Sequence, residues 1–153
     1  MIYYEDLIPG RLFHTASHTI SEDEIIQFAR QFDPQPFHTD PQAAKASVFD
    51  GLAASGWHTS SLTMSLVTSC ELKNVANGLI GMGIDKMRWP RPTRPGDTLS
   101  AQIEVLEQKA STSQPDFGVV RLRWTTHNQQ QQIVMQLETA IWVARRPTQT
   151  AAE

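Results

Sequence analysis

The sequence predicts an α+β domain in which a curved antiparallel sheet wraps around one long helix. Three observations carry this. Helical and turn signals dominate the first half, and four strand-like segments follow, Leu79 to Trp89, Thr98 to Lys109, Phe117 to His127 and Ile133 to Arg145. Short turns at Pro95-Gly96, Gln114 to Phe117 and Asn128 to Gln131 favour an antiparallel meander. The segment from Ser55 or Gly56 to about Ser69 interleaves Ser60, Ser61, Thr63, Ser65, Thr68 and Ser69 with Trp57, Leu62, Met64, Leu66 and Val67. Such small side chains let other backbones approach, which suits a helix enclosed by a sheet.

The elements follow in chain order. Leu12 to Ile20 reads as a first strand, entered through the Pro9-Gly10 turn. Ser21 and Glu24 form a capping box, and Ile20 can staple onto Ile25. Ile25, Phe28, Ala29 and Phe32 then make one apolar helical stripe. The helix stops near Phe32, because Pro34 disfavours helical geometry at Asp33. Asp40-Pro41 is an N-cap followed by proline at the first helical position, opening a short helix to about Ala46. Ile133, Met135, Leu137, Thr139, Ile141 and Val143 share one face of the last strand. Long strands on a short chain leave open edges, and pairing with a second copy closes them, so a homodimer is expected.

A chain of 153 residues suits one domain, here 1–153 with 146–153 as a flexible tail. The formal charge of −3 argues against a nucleic-acid partner. No apolar run reaches the roughly 20 residues that span a bilayer. The N-terminus lacks a basic region followed by an apolar core, so no signal peptide is read and the cytoplasm is expected. The single Cys70 fits a reducing compartment.

Asp33 and His38 stand five positions apart with Pro34 and Pro36 between them. The prolines oppose a helix there, so a carboxylate and an imidazole are expected on a stiff, irregular loop. Fixing two titratable groups in this way suits general acid–base chemistry. His38-Thr39-Asp40 lacks a third ligand at a recognisable spacing, so no metal is assigned. Ser55 and Ser60 lack a nucleophile-elbow context, which argues against a serine hydrolase.

The run Asp33-Pro34-Gln35-Pro36-Phe37-His38, followed by Asp40-Pro41, resembles the hydratase motif of the MaoC-like dehydratases, the family of (R)-specific enoyl-CoA hydratases. Ala54-Ser55-Gly56-Trp57-His58-Thr59 looks like the start of that family's central helix, and Arg94-Pro95-Gly96-Asp97-Thr98-Leu99 resembles its turn into a long strand. The resemblance runs from Tyr4 to about Val143. It implies the hot-dog fold, usually paired in dimers, and a substrate that is an acyl-CoA or acyl-carrier thioester, with no cofactor.

The resemblance also implies that Asp33 and His38 are the catalytic pair and that the Gly56 amide binds the thioester oxygen. Gly56 opens a helix, where backbone amides lack internal partners and the dipole is positive. Gln35 stands where the family motif commonly has Asn, a residue that helps position the catalytic loop. Gln35 and Ser55 are expected at the substrate. Lys86, Arg88, Arg91 and Arg94 cluster in an acidic chain, and Arg88, Arg91 and Arg94 are expected to bind substrate phosphates. Trp57, Trp89, Trp124 and Trp142 are read as core or dimer contacts.

The implied reaction is reversible hydration of a trans-2-enoyl thioester. Two alternatives share the fold, a thioesterase and a non-catalytic acyl-thioester binding subunit, because fold alone does not decide chemistry.

Overall fold

A computed structural model describes residues 1–148. The elements are β1 (Leu12–His14), β2 (His18–Thr19), α1 (Glu22–Phe32), α2 (Pro36–Thr39), α3 (Pro41–Lys45), α4 (Gly56–Val67), β3 (Ile80–Arg88), β4 (Thr98–Ala110), β5 (Phe117–His127) and β6 (Ile133–Ala144). The sheet runs β1-β4-β5-β6-β3, all antiparallel, with β2 also paired to β4. It curves around α4, the hot-dog arrangement that the sequence resemblance implies.

Alternation decides which strand faces look inward. Leu99, Ala101, Ile103 and Val105 of β4 are buried, as are Val120, Leu122 and Trp124 of β5 and Met135, Leu137, Ile141 and Val143 of β6. Two-residue periodicity puts each set on one side of the sheet. With Phe13, Val67 and Leu72, all of these except Leu99 form the main core. A second, smaller cluster joins Ile20, Ile25, Ala44, Leu52 and Ala54, and anchors the short helices between α1 and α4.

The hydroxyls of α4 are used, and on the inner face. Thr59, Thr63, Leu66 and Val67 are buried. Thr63 Oγ1 lies 2.8 Å from Thr126 Oγ1 of β5 and donates to the Thr59 carbonyl at 2.9 Å. Buried polar groups need such partners, and these tie the helix to the sheet.

Three expectations are corrected. The strand expected over Leu12 to Ile20 is split in two, because pairing with β4 slips by one residue between His14↔Gln102 and His18↔Leu99. Ala101 N donates to Thr15 Oγ1 at 2.9 Å within this bulge. At the start of α1, Ser21 Oγ accepts from Glu24 N at 3.1 Å. The Glu24 carboxylate meets His18 Nε2 at 2.9 Å, so the box's return bond gives way to a cross-link onto β2. Phe32, the last residue of the α1 stripe, is 65% exposed because the helix runs one turn past the core.

The tail expected from 146 begins differently. Arg146 is bound to Asp6 through Nη2 at 2.8 Å, and its backbone N donates to Glu5 at 2.9 Å. Residues 149–153 of the expected tail lie outside the described residues. Among the described residues, no helix is long and apolar enough to cross a membrane.

Candidate active site

The segment that carries Asp33 and His38 is more ordered than its prolines suggest. Asp33 caps the C-terminus of α1 in a non-helical conformation, as Pro34 requires. Pro36 then occupies the first position of α2, where its missing N–H costs nothing and its fixed φ favours the helix. His38 therefore sits on one helical turn rather than on an irregular loop. Asp40 closes that turn and opens the next, its Oδ1 accepting from Gln42 N at 3.0 Å.

This geometry brings the two titratable groups together. Asp33 Oδ2 lies 3.3 Å from His38 Nε2, with both side chains largely buried. His38 Nδ1 lies 2.6 Å from the Ala53 carbonyl oxygen. A carbonyl oxygen only accepts, so Nδ1 carries a proton and Nε2 is the nitrogen free to exchange one at Asp33. The His38 ring is held in addition by the edge of Phe37, 4.5 Å between centroids.

Two further side chains act on Asp33. Gln35 Nε2 donates to Asp33 Oδ1 at 2.6 Å. Ser55 is fully buried, and its hydroxyl lies beside the carboxylate without a well-formed hydrogen bond. Burial alone would raise the Asp33 pKa. The Gln35 bond, the Ser55 hydroxyl and the His38 charge outweigh it and hold the carboxyl below its ordinary value. At neutral pH Asp33 is thus a carboxylate, able to take a proton. Gln35, expected at the substrate, grips the catalytic carboxylate candidate in this structure.

Gly56 opens α4 beside this pair. A cavity of about 390 Å³ is lined by His38, Gly56, Phe49, Ala54, Thr59, Trp89, Pro90, Arg91, Pro92, Thr93 and Val134. It thus joins an imidazole to an unpaired helix N-terminus through mostly apolar walls. A Cβ at position 56 would stand 2.6 Å from Trp89 Cδ2 and Cε2, so the indole itself demands glycine there. Trp57 and Trp89 meet edge to face at 5.6 Å and are 60% and 40% exposed, whereas Trp124 belongs to the core. The placement of Trp89 in the lining of this cavity has no signal in local sequence, because Gly56 and Trp89 meet only through the fold.

The basic residues divide. Lys86 pairs with Glu138 at 3.3 Å and Arg88 donates to Gln136 at 2.6 Å, both in one hollow with Arg123. Arg91 and Arg94 line another, and Arg91 also lines the cavity of His38 and Gly56. Arg94 turns inward, donating to the Phe49, Gly51 and Leu52 carbonyls. These four do not form one cluster: Lys86 and Arg88 lie on β3, whereas Arg91 and Arg94 follow its end and Arg94 is tied to the Gly51 and Leu52 carbonyls. His58 stacks on Phe28 with centroids 4.5 Å apart, and burial holds its pKa below the usual value.

Comparisons with known proteins place the chain in a family. Residues 7–128 match the MaoC like domain family. The chain is 31% identical over 137 residues to the uncharacterised protein YdeM of Bacillus subtilis (strain 168), covering 89% of this chain and 94% of that protein. The MaoC-like dehydratase of Rhodospirillum rubrum superposes with a TM-score of 0.92 at 43% identity, over 97% of this chain and 100% of the other. R-hydratase PhaJ1 of Pseudomonas aeruginosa superposes with a TM-score of 0.74 at 27% identity, over 95% and 87%. A matching family model over most of the chain and a fold shared almost end to end lead to one conclusion: this protein belongs to the MaoC-like dehydratase family.

Proposed function

We propose that the protein adds water reversibly across the double bond of a trans-2-enoyl thioester, giving the 3-hydroxyacyl thioester. The observation that carries this reading is the 3.3 Å Asp33–His38 pair beside the amide end of α4. The kinship to an R-hydratase supports it. Asp33 accepts a proton from the attacking water as its oxygen bonds to the β-carbon. His38 Nε2 holds that water and shuttles a proton, so that the α-carbon gains one. The Gly56 amide stabilises the charge that develops on the thioester oxygen; loss of one such donor costs about 10²–10³ in rate in other enzymes. Both proton-transferring groups act from one side of the double bond, which makes the addition syn. Asp33, His38 and Gly56 are the catalytic set in this reading. Arg91, at the rim of the cavity, is the cation best placed for a substrate phosphate, and Arg88 sits farther out on β3. The test is whether the protein consumes an enoyl thioester with the thioester bond kept.

We also infer a homodimer through β3. This strand ends the sheet, and its Ile80, Met82 and Ile84 are 41%, 59% and 56% exposed. Beside it an apolar groove of about 300 Å³ runs between Met64 of α4 and Ile141 of β6. A monomer rarely leaves such an edge and groove uncovered. Sedimentation at micromolar concentration is expected to give twice the chain mass of 17.2 kDa. A species of single mass would contradict the pairing.

A further inference from the structure

We infer that Trp89 sets the bulk of the acyl chain that the site accepts, as the wall of the acyl slot beside Gly56. This rests on the thioester reading above. Trp89 is the largest side chain lining the cavity of His38 and Gly56. Its six-membered ring lies against the Gly56 α-carbon, close enough that a Cβ there would meet Cζ2 at 2.9 Å. A thioester whose oxygen reaches the Gly56 amide and whose β-carbon reaches Asp33 and His38 must run past this ring.

The indole is held in place. Nε1 donates to Ser60 Oγ, one turn along α4, at 3.2 Å. The chain that follows is stiffened by Pro90 and Pro92 and fastened again at Thr93. Thr59 Oγ1 donates to Thr93 Oγ1 at 3.1 Å, and Ala54 N donates to the Thr93 carbonyl at 2.9 Å. A wall pinned at both ends of its segment does not retreat from a longer substrate. Phe49, Ala54 and Val134 on the remaining sides offer hydrocarbon contact, so the slot takes an apolar chain.

Removing the indole lengthens the slot, and each methylene then buried favours binding by about fourfold. The experiment compares wild type, Trp89→Phe and Trp89→Ala. It measures kcat/KM on trans-2-butenoyl-CoA and trans-2-octenoyl-CoA, and calorimetric Kd for saturated butyryl-CoA and octanoyl-CoA. Trp89→Ala is expected to raise the octenoyl-to-butenoyl ratio at least tenfold, with Trp89→Phe between it and wild type. The saturated pair is expected to shift the same way. Unchanged ratios in either folded variant overturn the inference. If the wild type hydrates neither substrate but the Kd ratio shifts, the wall stands and the hydration reading falls. If Trp89→Ala does not fold, Trp89→Phe alone decides, by the same ratios.

Discussion

Asp33→Asn is expected to abolish hydration while leaving the fold intact. The amide keeps the size of the carboxylate, and its oxygen can still accept the 2.6 Å bond from Gln35 Nε2. What disappears is the ability to accept a proton and the charge opposite His38 Nε2. A positioned acid or base contributes roughly 10²–10⁴-fold, and the rate is expected to fall by at least that much. His38→Ala should cost a similar factor. It removes the imidazole that lies 3.3 Å from Asp33 and is oriented by the Ala53 carbonyl. Groups that act on one water do not add independently, so the double variant should be little worse than the poorer single one. Steady-state rates, with circular dichroism to confirm folding, check all three. Substantial hydration by a folded Asp33→Asn variant would remove this carboxylate from the mechanism.

Arg94→Met should lower the melting temperature and the turnover number together. Its guanidinium donates to three carbonyls of the turn at Phe49, Gly51 and Leu52. That turn is held in unusual backbone geometry, with φ 49° at Asp50 and 143° at Gly51. It leads directly to Ala53, whose carbonyl orients His38. Hydrogen bonds involving a charged group contribute roughly 1.5–3 kcal/mol each, and shared geometry makes their sum smaller than three separate ones. A loss on the order of 2–4 kcal/mol is expected, which lowers the melting temperature by about 5–10 °C for a domain of this size. Lysine should not restore it, because a single ammonium lacks the planar fork. Thermal melts and steady-state kinetics check this. A phosphate-binding Arg94 would behave differently, with a raised KM and an unchanged melt.

The contrast between Arg94 and Asp33 shows what the sequence made legible. Strands β4, β5 and β6 were legible because alternation over ten or more residues has one reading. The start of α1 was legible because Ser21 names its own cap. Asp33 and His38 were legible as a pair because proline punctuation fixes where α1 must end. Pro36 was misread as opposing a helix when it starts one, since its effect depends on whether it falls at the first helical position or inside. Charge is visible in sequence but its direction is not. Arg94 reads as surface charge until the fold folds it under the turn after α3. The Trp89 contact with Gly56 joins residues far apart in the chain, and neither carries a local mark of the other. Gln35 was legible as a member of the loop, but its bond to Asp33 appears only once both conformations are set.

The reaction itself is tested most directly by giving the purified wild-type protein a trans-2-enoyl-CoA and following two signals at once. One is the absorbance of the conjugated enoyl thioester; the other is free thiol, trapped with a chromogenic disulfide. Water added across the double bond bleaches the first and leaves the second at its baseline. The Asp33–His38 pair beside Gly56 predicts that result. Release of thiol with no hydrated product would instead mark a thioesterase, and neither signal changing across a panel of chain lengths would contradict hydration as the function.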